Sequence, residues 1–356
     1  MKPTIAFTGG HHNSALVVAK ELKKMGYPLI WFGHKFTASG DKSLSAEYHE
    51  VTNSNIKFLE LKTGKFYKKF GTFEWLKIIF GFLQATLYLL KYRPSLIFSS
   101  GGYLSVPIVI MGWVFRIPSI THEQTVIAGM ANKAIAPFVK KILLTHESSS
   151  INYPKGKSVV VGLPIRQQLL SGKYTKSFTP PLLYITCGKQ GSHIINQVVF
   201  PIIPQLIKRY TIIHQTGANT VYKDLEKARR LKEKLGDLSD RYVYAPYFYS
   251  DEAATYLRSA KIIISRSGAH NSYELMVLGK KAVLIPIPWV SHNEQLLNAK
   301  LVAQNTGSLI LEEKDLTSES LLNAIIELGK SPKVISSVKL PTDATKKIIS
   351  IIHQYV

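Results

Sequence analysis

The chain has 356 residues, 46% of them hydrophobic, which is too long for one ordinary core and apolar enough to fill two. Its formal charge of +22, from 45 Lys and Arg against 23 Asp and Glu, calls for an anionic partner: nucleic acid, phospholipid or a phosphorylated substrate. The single cysteine, Cys187, excludes an internal disulfide and a thiolate metal cluster and points to a reducing compartment.

The opening segment, MKPTIAFTGGHHNSA, has too short an apolar stretch for a signal peptide. Its run at 4–7 predicts a strand, and a helix over 15–25 and a strand over 29–32 follow. Lys65, Lys68, Lys69 and Lys77 are then interleaved with Phe66, Tyr67, Phe70, Phe73 and Trp75, leading into a helical pattern over 75–92. Its apolar part falls short of the roughly 20 residues that a span needs and carries Lys77 and Gln84, so it is expected to rest on a membrane surface. The denser charge of residues 1–170, with 21 basic and 8 acidic residues against 24 and 15 beyond, agrees.

Strands are predicted next over 96–98, 119–121, 142–144 and 159–161, and residues 162–181, with Pro164, Gly172, Pro180 and Pro181, read as a linker. The series restarts over 182–186, 211–214, 242–244, 262–265, 282–285 and 308–311, and a last helix over 342–355 follows Pro341. Alternating strands and helices predict parallel sheets covered on both faces. The expected architecture is α/β: two doubly wound domains, 1–166 and 167–337, facing across a cleft, with the last helix packing back on the first. Ligands are then expected beyond the carboxyl ends of the strands.

Four junctions there attract notice: Thr8-Gly9-Gly10-His11, Ser100-Gly101-Gly102-Tyr103, Cys187-Gly188-Lys189-Gln190-Gly191-Ser192, and Ser265-Arg266-Ser267-Gly268 with Ala269 to Glu274 behind it. Glycine lets backbone approach a ligand, and a helix start offers free N–H groups, so phosphate fits such places. None is a Walker loop, and none is a clean GxGxxG with an acidic residue closing the next strand, which disfavours a dinucleotide. Glu274 lies within about two helical turns of the fourth junction, in reach of a ribose.

With these loops in place the chain resembles the MurG-like UDP-N-acetylglucosamine transferases of glycosyltransferase family 28. The family's TGGH is matched by Thr8 to His11, its GGYVSGP by GGYLSVP at 101–107, and its HEQN by His122-Glu123-Gln124-Thr125. AGLTNK is matched by residues 128–133, VVGNPVR by VVGLPIR ending at Arg166, GGSQGA by CGKQGS, and HQTG by residues 214–217. The CRSGA…E motif is matched at 265–269 and Glu274, and QxxNA at 295–299. The resemblance implies a GT-B fold and transfer of N-acetylglucosamine from its UDP donor to a lipid-linked muramyl-pentapeptide diphosphate on the cytoplasmic face of the membrane, with no cofactor and no metal.

By that resemblance, Gly188, Lys189, Gln190, Gly191, Arg166 and Thr125 would lie along the donor's diphosphate and sugar. Ser250 would meet the uracil, and Ser267, Gly268, Ala269, His270, Asn271, Ser272, Tyr273, Glu274 and Gln295 would complete the donor site. Thr8, Gly9 and Gly10 would close over the donor, while Gly101, Gly102, Tyr103 and Asn132 would serve the acceptor. Attack by the sugar 4-hydroxyl needs a base; His11 is the candidate and Glu123 its rival. Arg166, Lys189 and Arg266 are the expected cations for the departing UDP. Departures from the family pattern fall at Ala6-Phe7, His12-Asn13-Ser14, Thr125, Leu163 and Lys189. They leave open a related transferase with another lipid acceptor and, less readily, a UDP-N-acetylglucosamine 2-epimerase. A nucleic-acid-binding role finds no motif.

Overall fold

The computed structural model describes residues 2–36, 44–64, 72–188, 191–290, 293–332 and 340–356. The basic–aromatic segment 65–70, together with Lys189 and Gln190, lies outside them. The chain divides into two units, Met1–Ile165 with Pro341–Val356, and Arg166–Leu340. Arg166, assigned to the first domain by sequence, opens the second unit.

The first unit runs β1 (Ile5–Thr8), α1 (His12–Lys24), β2 (Leu29–Gly33), α2 (Ala46–Asn53), β3 (Lys57–Glu60), α3 (Thr72–Tyr92), β4 (Leu96–Ser99), α4 (Ser105–Val114), β5 (Ser119–Glu123), α5 (Met130–Ile135), β6 (Lys141–Leu144) and β7 (Ser158–Val160). The strands pair in parallel in the order β3-β2-β1-β4-β5-β6-β7. Side chains alternate across this sheet and fill two cores. Ile5, Phe7, Leu96 and Phe98 meet Leu16, Ala19 and Leu22 of α1 on one face. Ala6 and Ile97 meet Ile108 and Val109 of α4 on the other.

The second unit runs α6 (Gln167–Leu170), β8 (Leu182–Thr186), α7 (His193–Val199), α8 (Ile203–Leu206), β9 (Thr211–Gln215), α9 (Asp224–Glu233), β10 (Tyr242–Ala245), α10 (Ser250–Ser259), β11 (Ile262–Ser265), α11 (Ala269–Leu278), β12 (Ala282–Leu284), α12 (Glu294–Thr306), β13 (Leu309–Ile310) and α13 (Ser318–Lys330). Its parallel sheet has the order β10-β9-β8-β11-β12-β13. The last helix, α14 (Ala344–Ile352), buries Ile348, Ile349 and Ile352 in the α1 core of the first unit.

Each sheet reverses its winding once, between β1 and β4 and between β8 and β11. Those are the switch points where a doubly wound sheet opens a crevice beyond its strand ends. The four glycine junctions of the sequence follow these four strands. One strand, β3, was not foreseen. Lys57-Phe58-Leu59-Glu60 is an edge strand with a charge at either end, so it lacks the apolar run that marks its neighbours.

Candidate functional site

At the first switch point the loops after β1 and β4 interlock. Gly10 N donates to Gly101 O at 2.8 Å, and Ser100 N to Thr8 O at 2.8 Å. Gly9 has φ of 129°, and a Cβ there would sit 2.6 Å from the Gly101 carbonyl oxygen, so only glycine lets the two backbones meet. Gly101 and Gly102 are left-handed too. Tyr103 stands beside them, its ring 5.8 Å from that of His34.

His11 is exposed at the N-cap of α1, and its side chain makes no capping bond there. Its carbonyl accepts from Gln124 Nε2 at 3.1 Å, which fixes the loop from β5. The hydroxyls of Thr8 and Ser14, just below, are buried without a hydrogen-bond partner among the described residues.

Glu123 is placed differently from the expectation of a rival base. Its side chain is buried and accepts from five donors: Tyr153 OH at 2.6 Å, Gly129 N at 2.8 Å, Asn132 Nδ2 at 3.0 Å, Thr125 Oγ1 at 3.0 Å and Thr125 N at 3.2 Å. Burial pushes its carboxyl up, but the Tyr153, Asn132 and backbone donors outweigh this and hold it below the usual range. A carboxylate so filled has no lone pair left for a substrate proton; it is an anchor.

Thr125 and Asn132, expected at the donor sugar and the acceptor, belong to that anchor. The Thr125 hydroxyl also reaches the Ile127 carbonyl, and Asn132 Oδ1 accepts from Thr121 Oγ1 at 2.8 Å beneath Gly101. His122, on the same strand, is pushed by burial to about 4; as a neutral ring it lies 3.0 Å from Gly162 O.

At the second switch point the loop after β8 is braced from β9. Gln215 Nε2 donates to Gly188 O at 2.7 Å and Gln215 Oε1 accepts from Phe248 N at 3.1 Å. Gly191, with φ of 73°, presses against the Thr216–Gly217 backbone, where a Cβ would lie 2.6 Å from Gly217 Cα. Ser250, expected near uracil, begins α10 just after this brace.

Beyond β11, Arg266 is not turned to a ligand as expected. Its guanidinium donates to Ser192 Oγ at 2.7 Å and Ile285 O at 3.0 Å, and pairs with Glu313 at 2.6 Å. It ties the two glycine loops together.

Gly268 caps α11, and no described atom lies within 4 Å of where its Cβ would be, so this helix start is open. Ser267 Oγ donates to Gln295 O at 2.8 Å, and Gln295 Oε1 accepts from Ile287 N at 3.1 Å, leaving the Gln295 amide nitrogen without a partner among the described residues. Asn298 Nδ2 holds Ser267 O at 3.1 Å.

Of the residues expected along α11, Ala269 opens it, Asn271 bonds back to Arg266 O at 3.2 Å, and Ser272 and Tyr273 are buried. Glu274 is buried as well. Arg166 grips it with both arms, Nε to Oε1 at 3.0 Å and Nη2 to Oε2 at 2.7 Å, and His270 Nε2 is 3.1 Å from Oε1. Burial pushes this carboxyl up, yet Arg166 first and His270 second bring it down to about 2.

Gln215, Asn298, Tyr153 and Glu313 were not singled out from sequence. The first two sit inside matched motifs, HQTG and QxxNA, but Tyr153 and Glu313 carry no local signal. Among the described residues no group of three or more His, Cys, Asp and Glu side chains is arranged to hold a metal ion.

Residues 7–144 match the glycosyltransferase family 28 N-terminal domain and residues 182–354 the family 28 C-terminal domain. The UDP-N-acetylglucosamine--N-acetylmuramyl-(pentapeptide) pyrophosphoryl-undecaprenol N-acetylglucosamine transferase of Clostridium novyi is 32% identical over 363 residues, covering 98% of this chain and 96% of that one. The protein of the same name from Legionella pneumophila is 29% identical over 99% of this chain and 97% of its own. The crystal structure of MurG from Acinetobacter baumannii matches at a TM-score of 0.68 and 21% identity over 99% of both chains. A UDP-GlcNAc 2-epimerase from Neisseria meningitidis matches at 0.58 and 14%, over 99% of this chain and 100% of that one; it shares the fold alone.

Two predictions follow from the carboxylates. Glu123→Ala leaves several buried donors unmet, so chemical denaturation should show a loss of at least about 3 kcal/mol; a loss under about 1 kcal/mol would contradict the anchor. Glu274 has a lowered folded value, so its stabilisation is complete above about 4.5 and is lost as pH falls towards about 2. The stability gap between wild type and Glu274→Gln should therefore shrink by roughly 3 kcal/mol across that window; a gap independent of pH would refute it.

Proposed function

Since the chain belongs to glycosyltransferase family 28, and within it to the MurG family, we propose that it transfers N-acetylglucosamine from UDP-N-acetylglucosamine to N-acetylmuramyl-(pentapeptide) pyrophosphoryl-undecaprenol, the lipid II-forming step of peptidoglycan synthesis. The observation that carries this reading is the set of glycine loops at the switch point of each unit, inside a match that spans both.

The second unit binds the donor. The diphosphate meets Arg166 and the open start of α11 at Gly268, where N–H groups and the helix dipole favour negative charge. The ribose meets Glu274, the sugar meets the Gln295 amide, and the uracil lies by the backbone at Ser250. Lys189 and Gln190 complete the diphosphate loop. Ser272 and Tyr273 support α11 from within.

The first unit binds the acceptor diphosphate at Gly101 and Gly102, and the Thr8-Gly9-Gly10 loop closes over the donor. His11 takes the proton from the attacking 4-hydroxyl as the new bond forms with inversion, and UDP departs onto Arg166 and the α11 start. Glu123 positions the loop that carries Thr125 and Gln124.

Binding to the cytoplasmic membrane face falls to α3. Ile78, Ala85 and Leu89 are buried on one side of it, while Leu76, Ile79, Phe80, Leu83, Leu87 and Leu90 are 50–67% exposed on the other. Trp75, Trp113 and Val114 extend that apolar surface, and Lys77 and Lys91 border it. No helix among the described residues is long and apolar enough to cross a membrane. An exposed apolar face of this size, flanked by cations, suits the headgroup boundary of an anionic bilayer. We assign the positive charge to lipid and diphosphates, with no nucleic acid involved.

The reading is tested by transfer of labelled N-acetylglucosamine to a lipid-linked muramyl-pentapeptide diphosphate with chelator present. Wild type should turn over, and His11→Ala should lower kcat at least about 100-fold with the donor KM little changed. An undiminished kcat would place the base elsewhere, and no transfer by a protein that binds UDP would exclude this acceptor. In a second experiment, Leu83→Asp with Leu87→Asp should abolish sedimentation with phosphatidylglycerol-rich vesicles yet spare turnover of a short-chain soluble acceptor. Unchanged sedimentation would remove α3 from the membrane.

A further inference from the structure

Both oxygens of Glu274 are engaged before any nucleotide arrives. The partners are held unequally. Glu274 sits in the second turn of α11 with its side chain 1% exposed, between Tyr273 and Leu275, both buried. It cannot leave without the helix. Arg166 sits at the N-cap of the four-residue α6, and its long side chain is 23% exposed. When the pair opens, the guanidinium is the part that moves.

A guanidinium fork matches phosphate as well as it matches carboxylate. A ribose diol has the opposite need: it donates, and requires a carboxylate with vacant lone pairs. Uridine alone offers Arg166 nothing and must compete with a two-pronged ion pair for Glu274. A diphosphate offers Arg166 an equivalent partner.

Resting on the donor-site reading above, we propose that Arg166 makes this site selective for uridine that carries a diphosphate: the diphosphate draws Arg166 off Glu274, and only then has the carboxylate room for both ribose hydroxyls. His270 keeps its contact with Glu274 as Arg166 departs, so the buried carboxylate is not stripped of charged or polar partners during the exchange. The pair thus couples two subsites, and the coupling is reciprocal: anion improves nucleoside binding, and nucleoside improves anion binding.

Titration calorimetry on the wild-type chain tests this with uridine, UDP, and uridine in saturating inorganic pyrophosphate. Pyrophosphate should tighten uridine binding about tenfold. In Arg166→Gln, uridine should bind about tenfold tighter than to wild type, UDP about tenfold weaker, and pyrophosphate should no longer help. A melting curve checks that the variant is folded, and the wild-type pyrophosphate arm stands without it. If wild type binds UDP but pyrophosphate leaves uridine affinity unchanged or weakens it, the exchange is wrong and the donor site survives. If wild type fails to bind UDP, the donor-site reading itself falls.

Discussion

The constraint on which both units depend is the reversal of winding at the centre of a parallel sheet. Where β1 lies beside β4, the following helices pack on opposite faces, as the separate cores around α1 and α4 show. The two connecting loops must then pass each other at backbone distance. Glycine is required there for a steric reason that precedes any ligand: a Cβ at Gly9 would collide with the Ser100–Gly101 backbone. In the second unit the close backbone approach falls one strand over, with Gly191 after β8 against the Thr216–Gly217 backbone after β9, while the loops after β8 and β11 meet through Arg266 and Ser192. A fold that keeps side chains off the backbone at these points has, as a consequence, two places suited to anions.

The two buried glutamates show how such places are made rigid or adaptable. Glu123 is surrounded by neutral donors that belong to the scaffold, from β5 to Tyr153. Removing any of them would cost desolvation without return, so the first site's floor is fixed. Glu274 is neutralised by a cation with somewhere else to go. Burial with a lowered carboxyl pKa therefore serves opposite ends in the two cases, and the difference lies in whether the partner is a neutral group of the scaffold or a charged side chain at the start of a short helix.

Central strands were legible because they are buried on both faces and read as unbroken apolar runs, such as IAFT, LIFS and IIIS. β3 was not, because an edge strand with Lys57 and Glu60 at its ends has no such run. Gly9 and Gly191 were legible for the steric reason given above, whereas Gly268 faces open space. The roles of individual polar side chains were less so, since their partners are remote in the chain: Tyr153 lies 30 residues from Glu123, and Arg166 lies 108 from Glu274. Arg266 looked like a phosphate ligand from its neighbours in sequence. The distant Glu313 and Ser192 turn it into a strut.

The same distinction bears on the departures from the family pattern. Thr125 stands where the family has an asparagine, yet it is buried with its hydroxyl spent on Glu123 and the Ile127 carbonyl. Leu163, replacing another asparagine, is fully buried beside the Gly162 carbonyl that His122 approaches. Substitutions at such positions alter what lies under the loops. The groups that stand open, His11 beside the first pair of loops, the bare start of α11 at Gly268 and the Gln295 amide, retain the family's residue types. A chain diverging towards a new sugar would be expected to change those open groups first, because specificity is decided by the groups that must be satisfied by the ligand. At Thr125 and Leu163 the pattern is the reverse, interior repacking beneath open groups that keep the family's residue types, whereas the departures at His12-Asn13-Ser14 and Lys189 fall in or beside the loops themselves.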